Sequence, residues 1–271
     1  MRISGAWHNE YESVMALAEE ADGFLHGEYR STTGSTGTYP VAGYAGTAAD
    51  GRGMPVALAI SWRSTERGEY GPSLHWVSSL GGQVFDASAF GPAAGHPDSM
   101  LLLHQLVATA SFPGIAEPGT HLDKLPFHRV SGPAAPAASR VLLAAHDGEI
   151  IRTAAADPVE GIWHEIGEEG GVLQLAVRNP HAGIVVGSLT DRHGRAELYG
   201  FVDIDASNTP ERRQGLGLAG RYADAAKTIS LAGWLDLERG RLSLSALLHR
   251  GTGTDTRYAQ TVVEGMRFKP A

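Results

Sequence analysis

Hydrophobic and polar residues alternate along most of the chain in short segments, which is typical of β-strands rather than of amphipathic helices. Residues 24–33 alternate clearly, residues 54–62 are strongly strand-like, and turn residues such as Asp50 and Gly51 separate the segments. Each half of the chain contains about eight such segments, and an even number lets a meander close without free edges. The pattern predicts an all-β protein with two consecutive eight-stranded antiparallel up-and-down barrels.

A short motif supports the division into halves. Gly-x-Trp-His occurs at residues 5–8 and again at 161–164, which are 156 residues apart (161 minus 5). A recurrence of this kind indicates an internal repeat.

The first copy of the motif opens a strand predicted over residues 5–13. Alternation places Trp7, Asn9, Tyr11 and Ser13 on one face of that strand. Polar groups on an inner face favour a barrel that holds a ligand over one that is packed solid. The alternative is an edge strand whose polar face is in water.

The repeat and the composition define three predicted regions. Residues 1–131 form the first barrel and residues 158–271 form the second. The region between them, 132–157, is predicted to be a linker because it begins with Ala, Pro, Gly and Ser. Its later part, 141–157, fits either a hairpin or the start of a helix. Within the first barrel, 72–80 is predicted as a strand and 81–99 as an extended loop.

Composition excludes several classes of function. The formal net charge is −8 and no basic block occurs, so the sequence predicts no binding to nucleic acid or to an anionic membrane surface. The chain contains no Cys, which excludes disulfides, thiolate metal sites and Cys nucleophiles. No apolar run is long enough to span a bilayer. The first residues show no secretory leader, so we expect a cytoplasmic protein if Met1 is the native start and a secreted one otherwise.

Other motifs carry little chemistry. Residues 215–220 fit the G-x-G-x-x-G fingerprint, but no helix follows them, so we expect a strand there. The spacing of His96, Asp98 and His104 is poor for a metal, and no metal or cofactor is predicted. His75 precedes Trp76 directly, so the two side chains should point to opposite faces. No nucleophile elbow is present, and no catalytic residue is predicted.

The arrangement of these segments resembles the avidin and streptavidin family twice over. In the first half the resemblance is carried by residues 5–9, Ser13, 27–31, Tyr39, 43–44, 59–62, 75–76, 105–109, Asp123 and 127–130. In the second half it is carried by residues 161–163, 219–222, 241–248, Gly251, Tyr258, 261–263 and 268–270. The resemblance implies a biotin-type ligand held inside the barrel.

The resemblance also implies a role for individual residues. It assigns Asn9, Ser13 and Tyr29 to the ring carbonyl of biotin, Ser31 and Asp123 to its ring nitrogens, and Trp62 and Trp76 to two aromatic walls. Three convergent donors would polarise a urea oxygen, and an ionised Asp would strengthen the opposing contact with a ring N–H.

This sequence departs from the family where the ligand's tail would lie. Pro72 and Leu74 stand where the family has Ser and Thr, and Leu106 stands at a third tryptophan position. Ile115 lies near the position of the tryptophan that the family takes from a neighbouring subunit. The resemblance therefore implies a more apolar tail site that includes Leu74 and Leu106, and either weaker biotin binding or a related ring.

The second half differs at the head-group positions. Glu165 and Asp191 replace donors by acceptors, while Leu189 and Met266 replace polar residues by apolar ones. We expect no biotin binding there, and a structural role for the second barrel. Glu165, with Glu168 and Glu169, forms either a solvated turn or a pair of groups able to do acid–base work.

The resemblance implies assembly as well. We expect an internal pseudo-dimer in which Tyr258 covers the first pocket and Ile115 covers the second. Two chains would then form a homodimer with four barrels. The alternative function is a cytoplasmic enzyme of specialised metabolism, of the cyclase type, that uses the barrel cavity as its active site.

Overall fold

The structure is a computed structural model, and parts of the predicted chain lie outside what it describes. It describes residues 3–33, 35–48, 53–65, 70–86, 98–112, 114–115, 117–131, 156–167, 170–252 and 261–271. Outside these ranges lie Tyr258, His96, the Glu168–Glu169 pair and all of the predicted linker except residues 156 and 157. The predicted domain boundaries therefore stay predictions.

Sixteen strands form two closed barrels. The first barrel contains β1 (Gly5–Asn9), β2 (Val14–Glu19), β3 (Phe24–Ser31), β4 (Gly37–Ala45), β5 (Gly53–Ser61), β6 (Trp76–Phe85), β7 (Ser99–Ala108) and β8 (Gly119–Val130). The second contains β9 (Gly161–Glu165), β10 (Val172–Asn179), β11 (Ile184–Asp191), β12 (Gly194–Val202), β13 (Arg213–Tyr222), β14 (Lys227–Asp236), β15 (Arg241–Arg250) and β16 (Thr261–Pro270).

Each barrel is an antiparallel meander whose last strand pairs with its first. β8 pairs with β1 through Phe127 and Asn9, and β16 pairs with β9 through Phe268 and Glu165. The prediction of an all-β protein with two eight-stranded antiparallel barrels is confirmed. Within the described ranges, the structure shows no helix long and apolar enough to cross a membrane.

The Gly-x-Trp-His repeat has the same local structure in both barrels. Gly5 and Gly161 adopt φ values of 140° and 134°, respectively. The indole Nε1 of Trp7 donates to the carbonyl of Ile3 at 2.9 Å, and Nε1 of Trp163 donates to Val159 at the same distance. The sequence repeat therefore corresponds to a repeated strand start in which a buried indole hydrogen-bonds to the preceding segment.

The first strand is shorter than predicted. β1 ends at Asn9, and a turn containing Glu12 at φ 60° leads into β2. The Oδ1 of Asn9 accepts from the backbone N–H groups of Tyr11 at 3.1 Å and of Ser13 at 2.9 Å. Asn side chains compete with the strand ladder by bonding to nearby backbone in this way, which is why the strand ends here.

The prediction for residues 72–99 is wrong in two places. β6 begins at Trp76 rather than at 72, and it continues to Phe85 through a segment predicted as loop. Gly81 and Gly82 resemble turn residues in the sequence, yet both lie inside the strand. A side chain at Gly82 would place its Cβ 1.9 Å from the carbonyl oxygen of Leu101, so the glycine permits close approach of β7.

The two barrels pack against each other along their outer faces. β4 to β7 of the first barrel contact β12 to β15 of the second. The buried apolar residues at this interface are Phe24, Ala42, Tyr44, Ala57, Ala59, Val77, Val107, Ala182, Ile184, Tyr199, Phe201, Ala219 and Ala232. The interface therefore has a hydrophobic core of its own, separate from the core inside each barrel.

The G-x-G-x-x-G motif lies within β13, as predicted, and its first two glycines face the other barrel. A Cβ on Gly217 would lie 2.7 Å from the carbonyl oxygen of Ser78, and one on Gly215 would lie 3.2 Å from Cγ2 of Val77. The motif is thus a site of close contact between β13 and β6 rather than a phosphate-binding loop.

Candidate functional site

A cavity of about 410 Å³ lies within the first barrel. Its lining includes six of the predicted site residues: Tyr29, Ser31, Trp62, Trp76, Leu106 and Asp123. Tyr11, Thr33, Ser35, His104, Gly114, Ile115 and Leu125 complete it. The volume is in the range of small-molecule sites, which are mostly apolar with a few convergent polar groups.

Asn9 and Ser13 lie beside the cavity, outside its lining. Both are almost fully buried, and Nδ2 of Asn9 approaches the hydroxyl of Tyr29 at 3.4 Å. The Oδ1 of Asn9 already accepts two backbone hydrogen bonds, so only its NH₂ group is available to other partners. The turn thereby directs the NH₂ group of Asn9 toward Tyr29. A donor group of this kind is what the polarisation of a ligand carbonyl requires.

Ser31 and Asp123 also line the cavity. The Ser31 hydroxyl donates to the carbonyl of Thr33 at 2.9 Å, which leaves its oxygen as an acceptor. Asp123 is exposed, and its Oδ2 accepts from the Tyr11 hydroxyl at 3.1 Å. This hydrogen bond and the charge of Asp123 raise the pKa of Tyr11 above its usual value. Ser31 and Asp123 therefore each present an acceptor oxygen.

Aromatic rings form one wall. Trp62 lies edge to face with Trp76 at a centroid distance of 6.0 Å and with Tyr29 at 5.9 Å. Tyr39 packs on Trp62 at 4.9 Å, and Phe112 packs edge-on against Trp76 at 4.4 Å. Such pairs add to the apolar contact that a bound ring can make.

The apolar residues predicted for the tail end are near the cavity. Leu106 lines it, and Leu74 packs against the core of the same barrel. Ile115 also lines this cavity and packs against this core, so the prediction that it covers the second barrel is wrong. The short hydrogen-bonded turn between Phe112 and Ile115 holds it against its own barrel.

His104 adds a polar group that the sequence did not assign to the site. The Nε1 of Trp62 donates to Oγ of Ser78 at 2.7 Å, and that oxygen lies 2.8 Å from Nε2 of His104. Burial away from water lowers the pKa of His104 to about 4. The negative charge of Asp123 raises the same pKa, but by less. The imidazole is therefore neutral at pH 7.

Three buried polar atoms around the cavity have no hydrogen-bond partner in the part of the chain that the structure describes. They are Oγ of Ser13, Oγ of Ser35 and Nε1 of Trp76. Buried polar groups are normally paired, because an unpaired one costs about 1–3 kcal/mol. Ser35 and Trp76 both line the cavity, so a ligand bound there would lie near these unpaired atoms.

Two of the residues missed in the sequence could have been found from the alternation of side chains. His104 stands two residues before Leu106 on β7, and Ser78 stands two after Trp76 on β6, so each shares its neighbour's face. Phe112 belongs to a loop, where no periodicity reports direction. Its position against Trp76 became visible only in the fold.

The interior of the second barrel is apolar. Leu189 and Met266, which occupy the positions of Tyr29 and Asp123, are buried in its hydrophobic core. Asp191 accepts from the Tyr222 hydroxyl at 2.6 Å, and Glu165 accepts from the backbone N–H of Gly171 at 3.1 Å. The acidic residues there are engaged in internal hydrogen bonds.

Two further observations limit the choice of site. Among the described residues, no group of three or more His, Asp or Glu side chains is placed to hold a metal ion. A groove of about 520 Å³ lies between the barrels, where Asp22 and Tyr44 meet Arg178 and Glu197. That groove is lined by charges of both signs, whereas aromatic and apolar side chains dominate the cavity of the first barrel.

The sequence model that describes the Avidin family matches residues 1–86, which contain seven of the residues predicted for the site. No curated protein matches the chain. The two closed eight-stranded antiparallel barrels agree with this family match, and the family and fold fit a role in binding a small molecule. The chain is therefore similar to the Avidin family over residues 1–86, and it forms two eight-stranded barrels in tandem.

Proposed function

We propose that the first barrel binds biotin or a biotin-like small molecule in its cavity and that the second barrel is structural. The observation that carries the proposal is the set of buried, unpartnered polar atoms around an aromatic cavity of about 410 Å³. A ligand with donors and acceptors at one end would satisfy atoms that are otherwise costly to bury.

The two polar sides of the cavity suit a cyclic urea. The NH₂ group of Asn9 and the hydroxyl of Tyr29 would donate to its carbonyl, and Ser13 supplies a third buried hydroxyl nearby. Ser31 and Asp123 would accept from its N–H groups. A hydrogen bond to an ionised carboxylate is worth about twice a neutral one, so Asp123 should contribute most on its side.

The tail of the ligand would meet a less polar surface. Leu106 and Ile115 line that part of the cavity, and Phe112 packs on Trp76 at its rim. Few groups are available there to bond a carboxylate tail. We therefore propose weaker binding of biotin than of an analogue whose tail is apolar.

Calorimetry with biotin tests the proposal. Wild-type protein should show saturable binding, and Asp123→Ala should weaken it by about 1–3 kcal/mol because ring N–H groups lose their acceptor. Asp224→Ala, which removes an exposed carboxylate from the second barrel, should leave the affinity unchanged. Absence of saturable binding by the wild type would refute the biotin-type assignment.

A cyclase-type enzyme is the second candidate, and His104 favours it. A buried imidazole that is neutral at pH 7, on the strand next to Asp123, could move a proton within the cavity. Mass spectrometry of material carried through purification distinguishes the two functions. An unrelated metabolite bound in place of biotin would support the enzyme.

We also propose that two chains form a homodimer with four barrels, and that Tyr258 covers the first pocket. Exposed apolar side chains on β8 and β16, Leu122 and Val263, support a further contact surface. Sedimentation analysis should give twice the mass of one chain, and Tyr258→Ala should weaken ligand binding without unfolding the barrels. A monomer at all concentrations would refute the dimer.

A further inference from the structure

We propose that Asp203 of the second barrel is a positioning residue that clamps the rim of the first barrel's cavity and thereby slows the exit of ligand. This inference rests on the proposed binding function. It gives the second barrel a defined role at the site without requiring that it bind ligand itself.

Asp203 follows β12 directly, and its side chain is fully removed from solvent at the interface between the barrels. Its Oδ1 accepts from the hydroxyl of Ser73 at 2.9 Å, and its Oδ2 accepts from Nδ1 of His75 at 2.8 Å. The hydroxyl of Thr109 lies 3.4 Å from the same Oδ2. Three donors from the first barrel therefore converge on one carboxylate of the second.

These three donors belong to the two segments that bound the cavity rim. Ser73 and His75 lie just before β6, next to Leu74 and Trp76. Thr109 follows β7 and leads to Phe112, which packs on Trp76. Because the carboxylate bonds to both segments, it fixes the distance between them.

The two segments also bond to each other at the same point. The backbone N–H of Thr109 donates to the carbonyl of His75 at 3.0 Å, and the Thr109 hydroxyl lies 3.2 Å from that carbonyl. His75 adopts φ 58°, a left-handed conformation that only a few per cent of non-glycine residues adopt, although His, Asn and Asp do so more often than the others. A strained residue persists only where its surroundings hold it, and the contact with Asp203 is part of that support.

A second contact joins the same segment to the second barrel. The guanidinium of Arg63 donates through Nε to the carbonyl of Gly71 at 2.9 Å and through Nη1 to the carbonyl of His181. Arg63 also lies over the ring of Tyr70, which packs against the interface core. The segment that leads to Trp76 is therefore anchored on the second barrel at both of its ends.

Because the Asp203 carboxylate is fully buried, replacing it should disturb the contact between the barrels strongly. A carboxylate removed from water is stable only when several donors surround it, and here most of those donors come from the cavity rim. Asp203→Asn keeps the shape but turns an NH₂ group toward donors. The rim would then lose its bond to the second barrel while both barrels keep their cores.

The test uses the full chain with Asp203→Asn. Amide hydrogen exchange at residues 71–76 and 109–112 should accelerate, and release of biotin should become faster by about tenfold, the loss expected for one buried hydrogen bond. Asp191→Asn is the matched control, because the hydrogen bonds of Asp191 to Tyr222 and His193 stay within the second barrel. It should change neither quantity.

His75→Asn removes the same contact from the side of the first barrel, and Asn tolerates the positive φ. It should accelerate exchange and release to a similar extent, and the double variant should be no faster than either single one. Additive effects would overturn the clamp, because they would show that the two residues act independently. If Asp203→Asn does not fold, His75→Asn carries the same expectation.

Two further outcomes would overturn the inference. Unchanged exchange at 71–76 and 109–112 would show that Asp203 does not hold the rim. Faster exchange with unchanged biotin release would show that the rim does not control the site. If wild-type protein does not bind biotin, the proposed function fails instead, and the exchange data alone then decide the clamp.

Discussion

The two barrels share a topology, a strand order and a Gly-x-Trp-His start, yet their interiors differ. In the first barrel, Ser31 and His104 line a cavity, and in the second, Leu189 and Met266 belong to a continuous apolar core. The same fold therefore forms with either interior, as long as side chains alternate between the inner and outer faces of each strand and the buried indole is kept. Whether the interior holds a cavity is decided by a few inward positions.

Unpartnered polar atoms occur in both barrels. Among the described residues, those of Ser13, Ser35 and Trp76 lie around the first cavity, whereas those of Thr228, Ser230 and His249 lie on strands β14 and β15, which contact the first barrel. The first barrel also has such atoms away from its cavity, at Ser79 and Gln105.

The largest expected difference is in ligand stoichiometry. Calorimetry should give one biotin for each chain rather than two, because a urea would meet only apolar side chains at Leu189 and Met266. The Asp123→Ala variant should weaken that one event and reveal no second one. Two binding events for each chain would break the comparison.

A matched pair of truncations measures how each interior is packed. Leu231→Ala in the second barrel should lower the free energy of unfolding by about 2–5 kcal/mol, because this fully buried side chain leaves a cavity behind. Leu106→Ala should cost less than about 1.5 kcal/mol, because Leu106 already borders open space. Denaturant titration of both variants gives the comparison, and equal costs would contradict it.

The contact between the barrels should be sensitive at Gly217. Gly217→Ala should destabilise the protein by about 1–3 kcal/mol, since its Cβ would lie 2.7 Å from the backbone oxygen of Ser78. Gly265→Ala on β16 is the control, because an added Cβ there meets nothing within 4 Å. Thermal unfolding should show a loss for the first variant and none for the second.

Acid should destabilise the interface gradually. Burial lowers the pKa of His249 to about 3, whereas an unfolded chain titrates its histidines near the usual value of about 6.5. Between these values the unfolded state binds more protons, so stability falls as the pH falls, by at most about 1.4 kcal/mol for each pH unit.

His249→Asn should make this dependence shallower between about pH 6.5 and pH 4, as measured by urea titration at each pH. His121→Asn alters an exposed histidine of β8 and should leave the slope unchanged. An identical slope in wild type and His249→Asn would show that His249 does not titrate differently in the folded state.

The sequence by itself determined the number and pairing of the strands and much of the site. Alternation, turn residues and the repeated motif are local signals, and each acts within one strand or hairpin. The family resemblance, rather than alternation, assigned Tyr29, Ser31, Trp62, Trp76, Leu106 and Asp123 to a ligand site, and the structure places all six around one cavity. Alternation explains why strand residues of the same parity face that cavity together.

Some features depend on contacts between segments that are far apart in the sequence, and these were visible only in the tertiary structure. Gly82 reads as a turn residue, but it lies in a strand because the backbone at Leu101 leaves no room for a side chain. Ile115 closes its own barrel, and Phe112 reaches Trp76, because a loop's direction is set by what it packs on. The bonds of Asp203 to Ser73 and His75 join residues about 130 positions apart, and no local pattern in a sequence encodes such a distance.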